Sequence, residues 1–265
     1  MALYFHGNAP LKFQHQYRVT RDYIIPYLEK YEGVKPGMHV LEIGCGEGGV
    51  LKAFAGYGCE CTGMDLSESK IEHGKELLSE DEDGKRIHLF TADIYDQKTM
   101  DDFKGKFDLI ILKDTIEHIP DQDKVMKQLP IYLKPEGKLF FAFPPWRMPF
   151  GGHQQTATTK MGQAPWMHLF PRSVYQSYLR KAGEPEPTVV SLMEIYDTGI
   201  SVNRFERILR QTGYKIINRR LYLINPIYRF KFNLTPRPQF GVLSAIPVLR
   251  DFVSTTAYYL LARED

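Results

Sequence analysis

The chain holds only three cysteines, Cys45, Cys59 and Cys61, in 265 residues. That is too few for a disulfide framework, and the spacing is not that of a zinc site, so a reducing, cytoplasmic setting is expected. No apolar run approaches the ~18 residues that a membrane span needs. Met1 to Lys12 has no basic stretch leading into an apolar one, so no secretory signal is expected. Net charge is also scarce: 34 Lys and Arg against 32 Asp and Glu leave +2, which argues against a dedicated nucleic-acid binder. Internal repeats and low-complexity tracts are absent. What is present, 43% hydrophobic and 25% charged residues, is the composition of a globular protein. The length suits one α/β domain with insertions better than two large domains. The charge is unevenly spread, with 11 Lys and Arg against 4 Asp and Glu from Ile200 to Asp265. Such a stretch is either a solvated basic face or a surface that attracts an anionic substrate or lipid headgroups.

Short apolar runs at Val40–Ile43, Glu60–Met64, Ile87–Thr91, Phe107–Leu112 and Lys138–Phe143 read as buried strands. Between them Gly48–Ala55, Ser67–Ser79, Lys98–Phe103 and Asp121–Leu133 suit helices. This alternation argues for βαβ units and a parallel sheet. Beyond Phe143 the pattern breaks. Residues 144–198 are rich in Pro, Gly, His and aromatics, with one helix expected at Arg172–Ala182. A helix at Ser201–Thr212 and a strand at Tyr214–Ile224 follow, then a second irregular stretch over 225–250 and a closing strand at Phe252–Ala262. The two irregular stretches read as insertions that build a cover or substrate wall, and residues 1–32 as a helical cover over the same side.

Gly44-Cys45-Gly46-Glu47-Gly48-Gly49 follows a strand and opens a helix, where glycines let the backbone turn sharply and approach a ligand closely. It satisfies G-x-G-x-x-G, and Asp65 lies about 20 residues on, where a ribose-binding acid belongs. Taken alone, the loop fits a nicotinamide cofactor and S-adenosylmethionine equally. Three features separate them. Glu42 lies two residues before the first glycine, where a carboxylate suits an ammonium better than a pyrophosphate. Asp93, after the third strand, can accept a hydrogen bond from an adenine amino group. And the chain lacks a second domain large enough to bind a hydride donor or acceptor.

Val40-Leu41-Glu42-Ile43-Gly44-Cys45-Gly46-Glu47-Gly48 resembles motif I of the class I S-adenosylmethionine-dependent methyltransferases, and the chain looks like their type 11-like, small-molecule branch. Gly63-Met64-Asp65-Leu66-Ser67 resembles the ribose motif and Ala92-Asp93-Ile94 the adenine motif. Phe107-Asp108-Leu109-Ile110-Ile111, leading to Ile116-Glu117-His118-Ile119, is similar to the fourth-strand motif, and Leu133-Lys134-Pro135-Glu136-Gly137-Lys138-Leu139 to the turn before strand five. The resemblance runs in register over about residues 33–142. It implies an α/β, Rossmann-like, seven-stranded sheet with helices on both faces, the last strand antiparallel, and insertions after strands five and six. It further implies one methyltransferase domain over 1–265, with 33–143 as the cofactor-binding core. Glu42, Gly44, Cys45 and Gly46 would hold the methionine end, Asp65 the ribose, Leu66, Ala92, Asp93 and Ile94 the adenine, and Lys113 the sulfonium pocket. For Leu66 and Ile94, plain core packing is an equal alternative.

Methyl transfer to an activated sulfonium carbon asks a protein to align the nucleophile and, where needed, to take its proton. Histidine suits that task at neutral pH. His153, in Gly151-Gly152-His153-Gln154-Gln155, and His168, in Pro165-Trp166-Met167-His168, fall where the family places its acceptor site, and His118 ends the fourth-strand motif. Each loop histidine is either a base or a side chain bonded to backbone. A helix after strand four would put Asp114, Glu117 and His118 on one face. Ubiquinone-pathway O-methyltransferases resemble this with E-x-x-E-H, whose acids and histidine hold a divalent ion, as do small-RNA 2′-O-methyltransferases. Here Asp replaces the first Glu and shortens the reach, so a divalent metal is the disfavoured reading. Aromatics crowd the insertions, either as the cover's own core or as an apolar acceptor pocket. The expected function is therefore S-adenosylmethionine-dependent methyl transfer to a small-molecule or lipid-like acceptor. A non-catalytic S-adenosylmethionine-binding or regulatory module and a nicotinamide-dependent reductase are the alternatives.

Overall fold

The computed structural model describes residues 8–264. Residues 1–7 of the expected N-terminal cover, His6 among them, and Asp265 lie outside the described residues. Among the described residues eight strands form one sheet: β1 (His39–Ile43), β2 (Glu60–Asp65), β3 (Ile87–Thr91), β4 (Phe107–Lys113), β5 (Leu133–Phe143), β6 (Tyr214–Ile224), β7 (Arg237–Pro238) and β8 (Thr256–Arg263). Their order is β3-β2-β1-β4-β5-β8-β6-β7. β1 to β5 pair in parallel, and the last strand, β8, runs antiparallel between β5 and β6. The expectation of seven strands falls one short, because the second insertion adds the two-residue β7 at the edge of β6. A two-residue strand inside a Pro-rich stretch carries no alternation by which to find it.

The helices are α1 (Ala9–Val19), α2 (Ile25–Glu29), α3 (Gly49–Gly56), α4 (Glu68–Leu78), α5 (Gln97–Phe103), α6 (Gln122–Gln128), α7 (Arg172–Lys181), α8 (Glu186–Thr198), α9 (Val202–Gln211), α10 (Tyr228–Phe232), α11 (Gly241–Ala245) and α12 (Leu249–Phe252). The N-terminal helix is not continuous. A wide π turn, Thr20–Ile24, separates α1 from α2, with the Ile25 N–H reaching back five residues to the Thr20 carbonyl. Pro26 explains it: proline has no N–H and its ring crowds the carbonyl four residues earlier. The first insertion holds α8 as well as the expected α7. The closing strand starts at Thr256 rather than Phe252, because α12 occupies Leu249–Phe252.

Successive strand residues feed opposite faces of the sheet. Val40, Leu109, Ile111, Phe140, Tyr258 and Leu260 point to a core shared with Ile24 and Leu28 of the N-terminal helices and with Val50 and Phe54 of α3. Their neighbours Leu41, Ile110, Leu112, Phe141, Tyr259 and Leu261 point the other way, onto Val125, Met126, Val202 and Phe205 of α6 and α9. A sheet covered on both faces reads as continuous apolar runs, as β4 (Leu109-Ile110-Ile111-Leu112) does. The first insertion has its own small core of Ala157, Tyr175, Leu179, Val189, Leu192 and Met193. The carboxyl ends of β1, β2 and β4 meet below this insertion and the second one, and the candidate site lies there.

Candidate active site

The glycine turn is built by close packing. The Gly44 and Cys45 N–H groups both donate to the Met64 carbonyl, at 2.7 and 3.1 Å, which ties the turn to the end of β2. Gly44, Gly46 and Gly48 take φ of 73°, 53° and 84°, the left-handed region that glycine enters at least cost. At Gly63 a Cβ would fall 2.7 Å from the Cys45 Sγ, so the glycine of the ribose motif makes room for that thiol. Cys45 itself is buried, its thiol pKa is pushed up by burial, and its side chain points into the core. Only its backbone is available to a ligand.

Asp65 stands beside the turn with both carboxylate oxygens oriented. Its Oδ2 accepts from the Gly46 N–H and its Oδ1 from the Ser67 N–H, each at 2.9 Å, and each oxygen keeps a lone pair free for a further donor. Strand register sets Asp65 against Thr91, so Asp65-Leu66 and Ala92-Asp93 lie side by side at adjacent strand ends. Leu66 is 75% exposed, an apolar face open to a ligand. Ile94 belongs to the core instead. The Asp93 Oδ1 accepts from the Tyr95 N–H at 2.9 Å. Glu42, on β1, is buried with its Oε2 lacking a hydrogen-bond partner among the described residues, and burial pushes its pKa well up against the opposing pull of Lys113.

A cavity of about 430 Å³ opens from this turn. It brings Gly44, Gly46, Asp65 and Lys113 together with Asp114, Glu117, His118 and His153. Leu66, Ala92, Asp93 and Ile94 lie outside its lining, as do Glu42 and Cys45. The expected helical face over Asp114, Glu117 and His118 does not form. Asp114 has φ of 52°, and only a single 3-10 turn, Ile116–His118, follows. Asp114 instead pairs with Lys113. Burial raises its pKa, but the Lys113 ammonium outweighs that and holds the group below its ordinary value. The metal-type cluster among the described residues is therefore Glu117, His118 and His153, whose ligand atoms all lie within 4.8 Å of one another.

His118 and His153 meet edge to face at 5.0 Å. Burial lowers the His118 pKa, with Asp114 opposing, so its imidazole is neutral at pH 7 and can accept a proton. Glu117 is buried, neither carboxyl oxygen has a hydrogen-bond partner among the described residues, and burial with the nearby Asp114 charge drives its pKa well up. Burial thus favours its protonated form, which is able to donate to a group beside it. His153 sits at φ of 57°. The two glycines before it serve contact rather than unusual φ: a Cβ on Gly152 would strike the His168 ring 2.7 Å away.

His168 is not in the cavity lining. It is fully buried, with Nδ1 bonded to the Gln154 amide at 2.5 Å and Nε2 to the Trp146 carbonyl at 2.6 Å. Burial drops its pKa to about 4. Trp146 packs edge to face on His168 and on Tyr196, so these insertion aromatics form a core, while Phe150 and Tyr228 line the cavity. The cavity wall is more polar than the sequence suggested. Lys12, His15 and Gln16 of α1 and Asn225, Tyr228 and Lys231 of the second insertion contribute to it. Nothing local marks them in the sequence; the one hint was the basic excess after Ile200.

A family model described as a methyltransferase domain matches residues 13–183. The chain belongs to this methyltransferase family. A ubiquinone biosynthesis O-methyltransferase from Coxiella burnetii is 33% identical over 123 residues, covering 44% of this chain and 48% of the relative. A sterol 4-C-methyltransferase from Caenorhabditis elegans is 33% identical over 143 residues, covering 51% of this chain and 41% of its own. The chain thus spans about half the length of the curated relatives it matches. Among solved structures, geranyl diphosphate C-methyltransferase from Streptomyces coelicolor A3(2), in complex with Mg2+, geranyl-S-thiolodiphosphate and S-adenosyl-L-homocysteine, aligns with a TM-score of 0.54 at 15% identity over 90% of this chain and 73% of that one. At that identity the likeness is one of fold, and it agrees with the Rossmann-like sheet described above. Among the described residues, no helix is long and apolar enough to cross a membrane.

Proposed function

We propose that this methyltransferase-family chain binds S-adenosylmethionine at the carboxyl ends of β1 and β2 and transfers its methyl group to a small molecule held in the adjoining cavity. The observation that carries this reading is one cavity joining the glycine turn and Asp65 to His118, His153 and Glu117. The residues fit the cofactor's parts. The buried Glu42, with an orphaned oxygen, suits a cationic ammonium. Oriented lone pairs on Asp65 suit a ribose diol, and the exposed Leu66 an adenine face. Relatives named for O- and C-methyl transfer to small molecules support the acceptor class. In the same reading residues 1–265 act as one domain, 33–143 holding the cofactor and 144–198 and 225–250 walling the acceptor.

When bound, S-adenosylmethionine supplies an electrophilic methyl group. The chain's part is to orient the acceptor and receive its proton. Of the histidines lining the cavity, His118, neutral at pH 7, and His153, 5.0 Å from it, stand beside Glu117 and serve as the bases. Glu117, whose protonated form burial favours, donates in that form a hydrogen bond to an acceptor oxygen or to an imidazole. His168 acts through position, fixing the first insertion through Gln154 and Trp146. The test is turnover of methyl-labelled S-adenosylmethionine with a library of small-molecule acceptors, with S-adenosylhomocysteine formation as readout. Label transfer that falls ~10²-fold in His153→Ala at unchanged cofactor affinity is expected. Cofactor binding with no transfer to any acceptor would favour the non-catalytic module instead.

The Glu117, His118 and His153 cluster also has the ligand types for a divalent ion. Without an ion its chemistry is that of an acid and two bases, so activity is expected to survive dialysis against a chelator. Stoichiometric metal in the purified protein, with activity lost on its removal, would assign the cluster to a metal.

A further inference from the structure

From Gln239 to Asp251 the chain turns its buried polar groups, Gln239, Arg250 and Asp251, inward and its apolar side chains outward. Five large apolar side chains in ten residues, Phe240, Val242, Ile246, Val248 and Leu249, are exposed, Val242 by 78% and Phe240 by 57%. Single exposed apolar residues are ordinary on a protein surface, but a dense run of them is not. The arrangement is fixed from beneath. Gln239 is buried, donates its backbone N–H to the Leu221 carbonyl at 2.9 Å, and donates its amide to the Arg250 carbonyl and the Ser254 hydroxyl, both at 3.0 Å. Arg219 holds the Ser244 carbonyl at 3.3 Å, and Arg250 reaches Asn203 at 2.5 Å and Glu206 at 2.7 Å. Asp251 is clamped by Arg147 at 2.7 Å and the Val202 N–H at 3.1 Å. With both ends of the loop stapled, the apolar side chains have no route into the core.

The charge around them has one sign. Between Glu206 and Asp251 the sequence holds nine Lys and Arg and no Asp or Glu. Of these, Arg229 and Arg237 are exposed, Arg237 three residues before Phe240 on the same insertion. Apolar side chains rimmed by cations match the interface of an anionic bilayer, where the first enter the acyl boundary and the second meet the headgroups. A second copy of the chain is a poor match. Twofold pairing through this segment would bring together two surfaces whose only charged side chains are Lys and Arg, with no acid on the segment to compensate. The other end of the same insertion, Asn225 to Lys231, lines the cavity.

We propose that the exposed side chains of residues 229–249 dock the protein onto an anionic lipid surface. This inference does not rest on the transferase reading, and cofactor binding serves only as a control. The test is co-sedimentation of the full chain with phosphatidylglycerol/phosphatidylcholine vesicles and with phosphatidylcholine alone. Partition at least tenfold stronger onto the anionic vesicles is expected, weakening in 0.5 M salt. Phe240→Ser with Val242→Ser, and separately Arg229→Glu with Arg237→Glu, should each reduce it about tenfold or more. Both pairs are exposed, so unchanged melting and cofactor affinity will show that the fold is intact. No partition onto anionic vesicles, or partition indifferent to both double substitutions, would overturn the proposal. So would a dimer in solution that Phe240→Ser and Val242→Ser abolish, which would give the surface to a second copy.

Discussion

Replacing Asp65 by Asn separates orientation from charge at the ribose position. The carboxylate accepts two backbone N–H groups, from Gly46 and Ser67, each at 2.9 Å. An amide has one oxygen, so it keeps one of these bonds and turns its NH2 toward the other N–H, setting donor against donor. The remaining oxygen carries no charge for a ribose hydroxyl. Hydrogen bonds to a charged acceptor contribute roughly 1.5–3 kcal/mol each. Losing one therefore weakens S-adenosylmethionine about 10- to 150-fold. Asp65 is only half-buried, so water can satisfy the released N–H and the cost to folding is small. Calorimetric titration with S-adenosylhomocysteine, paired with a melting curve, reads both quantities. A folded variant whose affinity changes by less than threefold would refute the ribose assignment.

His168 makes stability depend on pH. Its folded pKa, near 4, lies below the ordinary 6.5, so the unfolded chain binds more protons between those values. Stability is fully present above pH 6.5 and is lost as pH falls toward 4, by about 2 kcal/mol between pH 6.5 and 5. Chemical denaturation of the wild type and His168→Gln at both pH values checks this, since the variant should lose that part of the slope. Glu184 accepts from the N–H and hydroxyl of Thr158 at 2.9 and 2.8 Å and from those of Thr159 at 2.8 and 2.6 Å. Glu184→Ala should cost about 2–4 kcal/mol and expose the first insertion to limited proteolysis; an unchanged cleavage rate would remove its role as a clamp. Glu42→Gln keeps the shape but cannot become an anion, and should weaken S-adenosylmethionine ~10-fold or more while leaving adenosine binding alone. Equal loss for both ligands would contradict its placement at the methionine end.

The sheet was legible because its residues repeat a physical rule. β4 is apolar on consecutive residues, as a strand buried on both faces must be, and the glycine turn after β1 announces a close approach. β7 escaped because two residues cannot show a period. The Asp114 turn escaped because an Asp at positive φ looks, in sequence, like the first residue of a helix. The histidines divide on burial, which sequence does not report. His153 reaches the cavity while His168, in an equally aromatic loop, spends both ring nitrogens on the first insertion. The cavity wall was least legible. Lys12, His15 and Lys231 come from segments more than 200 residues apart, and only the folded sheet brings them to one place.

The most direct test of the central claim is a calorimetric titration of the purified chain with S-adenosylmethionine and, separately, with NADH. The structure predicts saturable one-to-one binding of S-adenosylmethionine and none of NADH at the same concentrations. Binding of NADH alone would show that the glycine turn and Asp65 serve a dinucleotide, and would contradict the account.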